Sequence, residues 1–292
     1  MARSSTMPVA HVDRLLAENL RVVGQLAEPK SVAFITCSYD TSFEDVTFQV
    51  CERVRQIEML FAAAPAIQWA LWVVDDLPDA QGFTTRVEAA FQARPDLLKA
   101  GRLHCVPMRS MPRRIGGLKG AALLDGMRAA LDEDAYDAFT YLNLNLKVDA
   151  RFAGLGVAAV LAGQWEAAIG SRAMTDSGLA CGAGTLGRLK SRVYSRIARS
   201  ALPPLMDFTD TNAPMKVFSR SATRYLTSRA QIHQVTLDCE WLIMMHEGQF
   251  SMGRFPVIWI QRAGSRPPWH LILRCLRDVY RIRRAWRRGD YT

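Results

Sequence analysis

Two continuous apolar runs, Ser31-Val-Ala-Phe-Ile-Thr-Cys37 and Trp69-Ala-Leu-Trp-Val-Val-Asp75-Asp76, bracket a stretch of helical spacing from about Phe43 to Ala63. That order restricts the fold more than any other feature of the chain. A strand that is apolar on both faces must be covered on both, as in parallel sheets flanked by helices. The intervening helix is the crossover that parallel neighbours require, so the segment predicts a βαβ unit. Further strands are expected at Arg102–Pro107, at Trp165–Ile169 and at Phe255–Ile260, the last at a sheet edge because of Pro256. Tyr141–Asp149, preceded by Ala138 and Phe139, reads as a core strand whose alternation places Asn143, Asn145, Lys147 and Asp149 on one face.

Helical spacing recurs at residues 11–27, ended by Pro29, at Arg86–Arg94, at Gly116–Leu131 behind a glycine turn, and at Leu155–Leu161. Arg188–Arg199 is a basic helix, Thr236–His246 has the spacing of a buried one, and Trp269–Arg288 sets an apolar face among seven arginines. In an open α/β sheet, ligands bind beyond the carboxyl ends of the strands. Asp40, Asp75, Asp76, Asn143 and Asn145 are therefore expected to converge there. An acid at such a strand end can hold a base edge or ribose hydroxyl; the plainer reading of Asp75-Asp76 is a solvated strand end with a helix cap.

The chain has 292 residues, 49% hydrophobic and 22% charged, enough for one large α/β domain or two small ones with a sizeable core. Its net charge of +9, from 37 basic and 28 acidic residues, favours anionic partners such as nucleotides, phospholipid headgroups or nucleic acid. Six cysteines without a C-x-x-C pair suggest neither a zinc site nor a disulfide framework and fit a reducing cytoplasm. The five histidines do not cluster, so no metal centre is expected from them. Neither a secretion signal nor a membrane-spanning segment is expected. Gly182-Ala-Gly-Thr-Leu-Gly187 matches the dinucleotide fingerprint formally but lacks the preceding strand that the motif needs, and reads as a loop near the substrate.

The order of motifs resembles the inverting family 2 glycosyltransferases of the GT-A fold, and among them the dolichyl- and polyprenyl-phosphate sugar transferases. Ile35-Thr-Cys-Ser-Tyr39-Asp40 is similar to the first-strand pattern and Val73-Val-Asp75-Asp76 to the second. Lys119-Gly-Ala-Ala with Gly126 is similar to the helix start of the family, and Ile169-Gly-Ser-Arg172 to the segment after its metal-binding strand. Asp210-Thr-Asn-Ala-Pro-Met-Lys216, Leu237-Asp238-Cys-Glu240 and Pro256-Val-Ile-Trp259 with Ser265-Arg266 resemble the glucosyltransferase branch. The resemblance implies an α/β fold of GT-A type, a mostly parallel central sheet flanked by helices, with a Rossmann-like nucleotide-binding half and an acceptor half. On this reading residues 1–30 are a helical extension, 31–266 the glycosyltransferase domain and 267–292 a basic amphipathic helix.

By the same resemblance a sugar would pass from a nucleoside-diphosphate donor, UDP- or GDP-linked, to an acceptor oxygen with inversion. Tyr39, Asp40, Asp75, Asp76, Lys119, Asn143, Asn145, Lys147 and Arg172 would bind the donor, and Asp210, Lys216 and Glu240 would lie on the acceptor or diphosphate side. Asp238 is the candidate catalytic base; it would merely orient an acceptor that is already anionic, and its structural alternative is a helix cap. Glu240 would support it or pair with an arginine. The family carries Asp-x-Asp for Mg²⁺ or Mn²⁺ where this chain has Asn143-Leu-Asn145, and neutral amides hold a hard cation weakly. No metal ligand is therefore assigned. Lys147 is a candidate to neutralise the departing diphosphate instead, its alternative being a solvated strand end.

The acceptor expected is a polyprenyl phosphate or a soluble specialised metabolite. The protein is expected in the cytoplasm, with the C-terminal helix resting on the inner face of the membrane or packed on the domain. No nucleic-acid reader motif is recognisable. The second reading is a degenerate GT-A protein that binds a nucleotide sugar or lipid phosphate without turnover.

Overall fold

The computed structural model describes residues 9–37, 46–75, 82–109, 119–174, 177–180, 196–208, 210–212, 215–234, 236–260 and 269–292. Tyr39, Asp40, Asp76, the glycine-rich stretch 182–187 and the pair Ser265-Arg266 lie outside them. The chain begins with helix α1 (Val9–Val23), then runs β1 (Lys30–Cys37), α2 (Val46–Phe61), β2 (Ile67–Asp75), α3 (Phe83–Gln92), α4 (Pro95–Lys99), β3 (Leu103–Pro107), α5 (Lys119–Asp132) and β4 (Ala138–Leu142). There follow α6 (Gly154–Leu161), β5 (Ala167–Ser171), β6 (Gly178–Ala180), helix α7, described over 196–201, and β7 (Met215–Ser219). The chain closes with α8 (Arg220–Arg229), α9 (Leu237–Glu247), β8 (Met252–Pro256), β9 (Ile258–Ile260) and α10 (Trp269–Arg288).

Seven strands form one sheet in the order β3-β2-β1-β4-β7-β5-β8. All neighbouring pairs are parallel except those of β7, which runs against both β4 and β5. Each face of the sheet has its own core. Ala33, Ile35 and Cys37 of β1 point into one, shared with α5, α9 and α10, and Val32 and Phe34 point into the other, shared with α1, α2, α3 and α6. The doubly apolar sequence of β1 is thus the direct result of helices on both sides. Gly126 lets α5 lie flat on the sheet, for a Cβ there would come within 2.6 Å of Val74 and 2.7 Å of Ile35.

Two strand expectations are corrected. The strand expected to run through Asp149 stops at Leu142, so the period-two face of Asn143, Asn145, Lys147 and Asp149 does not exist. Residues 143–149 turn, with Leu146 at φ 54° and both Leu144 and Val148 buried in the core beneath α2. The fully buried Arg53 of α2 causes the turn to close, donating to the carbonyls of Asn143 and Val148, each at 2.6 Å. The run Phe255–Ile260 is divided at Val257: β8 forms the sheet edge, as Pro256 led one to expect, and β9 pairs instead with β6 in a separate two-stranded sheet.

Candidate active site

Asp75 and Asn143 stand at the carboxyl ends of β2 and β4, on either side of β1, as the topology rule requires. Asp75 is 2% exposed and accepts a hydrogen bond from Thr84 Oγ1 at 2.7 Å. The reversed strand β7 lies beside β4, and its register sets Lys216 opposite Tyr141. Reversal thereby carries a lysine into the middle of the sheet, where it needs a partner.

That partner is Asp238, in the first turn of α9. Lys216 Nζ donates to Asp238 Oδ1, and Lys119 Nζ, from the first residue of α5, stands 3.7 Å from Oδ2. All three side chains are buried. The ring of Tyr141 lies beneath both ammonium groups, 4.8 Å from Lys119 Nζ and 5.5 Å from Lys216 Nζ, and adds a cation–π attraction. Burial pulls the Lys119 pKa down, against the raising influence of Asp238. The start of α5 is tied to the loop before α9, because the His233 carbonyl accepts from the N–H groups of Gly120 and Ala121 at 3.0 and 3.2 Å. This contact fixes Lys119 relative to Asp238.

Arg172, just past β5, clasps Asp210 with its side chain at 2.8 and 2.7 Å, and its backbone N–H donates to the same carboxylate at 2.9 Å. Burial works against both charges, but the paired bonds outweigh it: the Arg172 pKa is raised and that of Asp210 lowered. Among the described residues Lys119, Lys216 and Arg172 face two carboxylates, Asp238 and Asp210, three basic groups to two acidic ones. A buried basic majority of this kind favours an anionic ligand.

The turn after β4 is joined to the same region through Trp259 of β9. Lys147 Nζ is 5.8 Å and Arg172 Cζ 5.2 Å from the centre of the Trp259 ring, and Ile260 N–H donates to the Lys147 carbonyl at 2.7 Å. Asn145 is 5% exposed, and its Oδ1 accepts the Lys147 N–H at 3.3 Å. These residues do not fit a divalent cation: the two amides are neutral, one is engaged by the backbone, and a lysine follows. Among the described residues no group of three His, Cys, Asp or Glu side chains could hold such an ion.

Lys119, Lys216 and Asp238 are thus gathered in one cluster, Arg172 and Asp210 form a second, and Lys147 and Asn145 a third linked to it by Trp259. Glu240 is used differently from the expectation that it supports Asp238 or pairs with an arginine. Its carboxylate accepts the N–H groups of Gln231 and Ile232, both at 2.9 Å, and the Tyr291 hydroxyl at 2.9 Å, while burial raises its pKa. Nor does Asp238 cap a helix beginning at Cys239, for α9 already starts at Leu237 and the carboxylate turns to the lysines. Arg53, Tyr141 and Trp259 carry parts of this arrangement that sequence reasoning did not assign. Arg53 alone left a signal, a charged residue on the apolar stripe of Val46, Val50, Val54 and Ile57.

No family model matches the chain, and no curated protein matches it. Solved structures do. Glucosyl-3-phosphoglycerate synthase from Mycobacterium tuberculosis superposes with a TM-score of 0.59 at 14% identity, covering 91% of this chain and 82% of that one. The same enzyme in complex with Mn²⁺, UDP-glucose and phosphoglyceric acid gives 0.58 at 15% identity, with 91% and 81% covered. A further mycobacterial protein gives 0.57 at 12% identity, with 91% and 76% covered. The chain has the GT-A glycosyltransferase fold.

Proposed function

We propose that this protein transfers a sugar from a nucleoside-diphosphate donor to an acceptor oxygen with inversion, and does so without a divalent cation at its Asn143-Leu-Asn145 turn. The observation that carries the reading is the buried cluster of Lys119, Lys216 and Asp238 on Tyr141, beside Arg172, in a chain with the GT-A fold. The structural neighbours are described with UDP and UDP-glucose, which supports a donor of that class. In this reading Asp75, with Tyr39, Asp40 and Asp76, receives the nucleoside, while Lys147 and Arg172 face the diphosphate with Asn143 and Asn145 beside them.

Charge development on the leaving diphosphate is the step that needs help, and preorganised cations supply it without reorganising at the moment of reaction. Positioning of donor and acceptor for in-line displacement supplies the rest. Asp238 orients rather than deprotonates, because two lysines already hold its charge. The acceptor is then a group that is anionic beforehand, a phosphate ester, attacking through its own oxygen. Leu273 and Tyr280, 68% and 65% exposed, stand among exposed arginines on the outer face of α10, which supports contact with an anionic membrane surface. Among the described residues no helix is long and apolar enough to cross a membrane.

A thermal-shift series with UDP, GDP and their sugar conjugates, each in EDTA and in Mn²⁺, tests the reading. Stabilisation that persists in EDTA and falls in Lys147→Met is the expected result; stabilisation confined to Mn²⁺ overturns the metal-free mechanism. The saturation of Asp238 also favours a second reading, binding without turnover. Donor binding with no sugar transfer to any phosphate or hydroxyl acceptor selects it.

A further inference from the structure

A cavity of 390 Å³ opens between the end of α7 and the last turns of α10, lined by Ser200, Ala201, Pro203, Arg283, Trp286 and Arg287. Arg283 and Arg287 lie one helical turn apart, a spacing at which like charges repel. The ion pairs on α10 among the described residues belong to other arginines, Arg281 with Asp278 at 3.9 Å and Arg288 with Asp290. Among the described residues neither Arg283 nor Arg287 has a carboxylate partner, and no hydrogen bond ties either one to the closing carbonyls of α7. Arg283 is nevertheless half-buried, a position where an uncompensated guanidinium is unfavourable. Trp286 is held in place, its Nε1–H donating to Glu247 at 2.8 Å.

We infer that this cavity is a binding site for a phosphate ester. Two guanidinium groups provide forked donors matched to phosphate oxygens, Ser200 adds a hydroxyl, and the fixed indole offers a face to the carbon part of the ligand. The volume lies within the range of small-molecule sites, about 300–1,000 Å³. It admits a small ester or one lipid headgroup. Its wall is contiguous with the cationic outer face of α10 through Arg287, which leaves it open to an ester in solution and to a headgroup at a bilayer. Trp286 bonds Glu247, at the opposite end of α9 from Asp238, and the cavity is therefore distinct from the lysine cluster and independent of the sugar-transfer reading.

Calorimetry with glycerol 3-phosphate, and co-sedimentation with phosphatidylcholine vesicles with and without phosphatidylglycerol, test the site on the full chain. Three proteins are compared: the unmodified chain, Arg283→Gln/Arg287→Gln, and Arg274→Gln/Arg277→Gln, which removes the same charge from the outer face of α10. Glycerol 3-phosphate binding is expected to weaken roughly tenfold or more in the first double variant and less than about twofold in the second, and phosphatidylglycerol-vesicle binding, to which the outer face contributes, to weaken in both but further in the first. Binding of glycerol 3-phosphate identifies a soluble ester as the ligand; selective binding of phosphatidylglycerol vesicles alone identifies a headgroup. Either supports the site. Absence of both, or equal losses in the two double variants, overturns it. UDP binding unchanged in Arg283→Gln/Arg287→Gln separates this site from the donor site, and Arg287→Gln alone repeats the test at an exposed position should the double variant not fold.

Discussion

Replacing Asp238 by Asn takes away the carboxylate on which Lys119 and Lys216 converge and leaves both ammonium groups buried against Tyr141. Breaking one partner out of a buried ionic group costs about 3–5 kcal/mol. Asp238→Asn is therefore expected to lower the urea midpoint by a corresponding amount, and Asp238→Leu/Lys216→Met to recover part of the loss. A variant that unfolds no more readily than the unmodified protein would show that the lysines have another counter-ion. Asp210 has its own signature in pH. Its pKa is lowered in the folded state by the Arg172 bonds that overcome burial, so its contribution to stability is complete above the unfolded value of about 3.9 and is lost as pH falls through the folded one. Urea titrations below pH 5 are expected to show this loss, and Asp210→Asn to flatten it.

The turn between β4 and the short helix at Ala150–Ala153 owes its shape to Arg53 and Gln56 of α2, which reach Asn143, Val148 and the Ala150 N–H. Arg53→Met is expected to cost on the order of 3 kcal/mol, read by chemical denaturation, because the carbonyls it satisfies stay buried. The turn also offers a direct test of its chemistry. Asn143→Asp/Asn145→Asp introduces two carboxylates, and Mn²⁺ is expected to stabilise that variant against heat while leaving the unmodified protein unchanged. Most elements here were legible in the sequence, since β1, β2, α5 and α9 declare themselves by unbroken apolar runs or helical spacing. The turn was not, because Leu144, Leu146 and Val148 alternate as in a strand, and only the distant Arg53 decides otherwise. The lysine cluster was legible residue by residue, but not as a cluster: the register of Lys216 against Tyr141 is a tertiary fact. The role of Glu240 escaped for the same reason, its partners at Gln231, Ile232 and Tyr291 being matters of packing.

At the scale of the whole molecule, α10 belongs to the core. Val279, Ile282 and Ala285 are buried in the cluster that also holds Trp241, and Tyr291 is bonded to Glu240, two residues from Asp238. Truncation before Trp269 is expected to abolish cooperative unfolding in circular dichroism, not merely to remove a surface helix. The opposite face of α10 is governed by charge. Any association with phosphatidylglycerol vesicles is therefore expected to fall steeply between about 0.05 and 0.5 M salt, as screening shortens the reach of the arginines.

The pairing of Lys119 and Lys216 around Asp238 has a consequence for supply. Positive charge that belongs to the polypeptide is delivered with every copy of the chain, in fixed stoichiometry, and can be neither diluted away nor stripped by a chelator. The adjustable quantity in such a site is a proton, and burial, which pulls the Lys119 pKa down, makes that ammonium able to give one up. Alkalinity is what would discharge that ammonium.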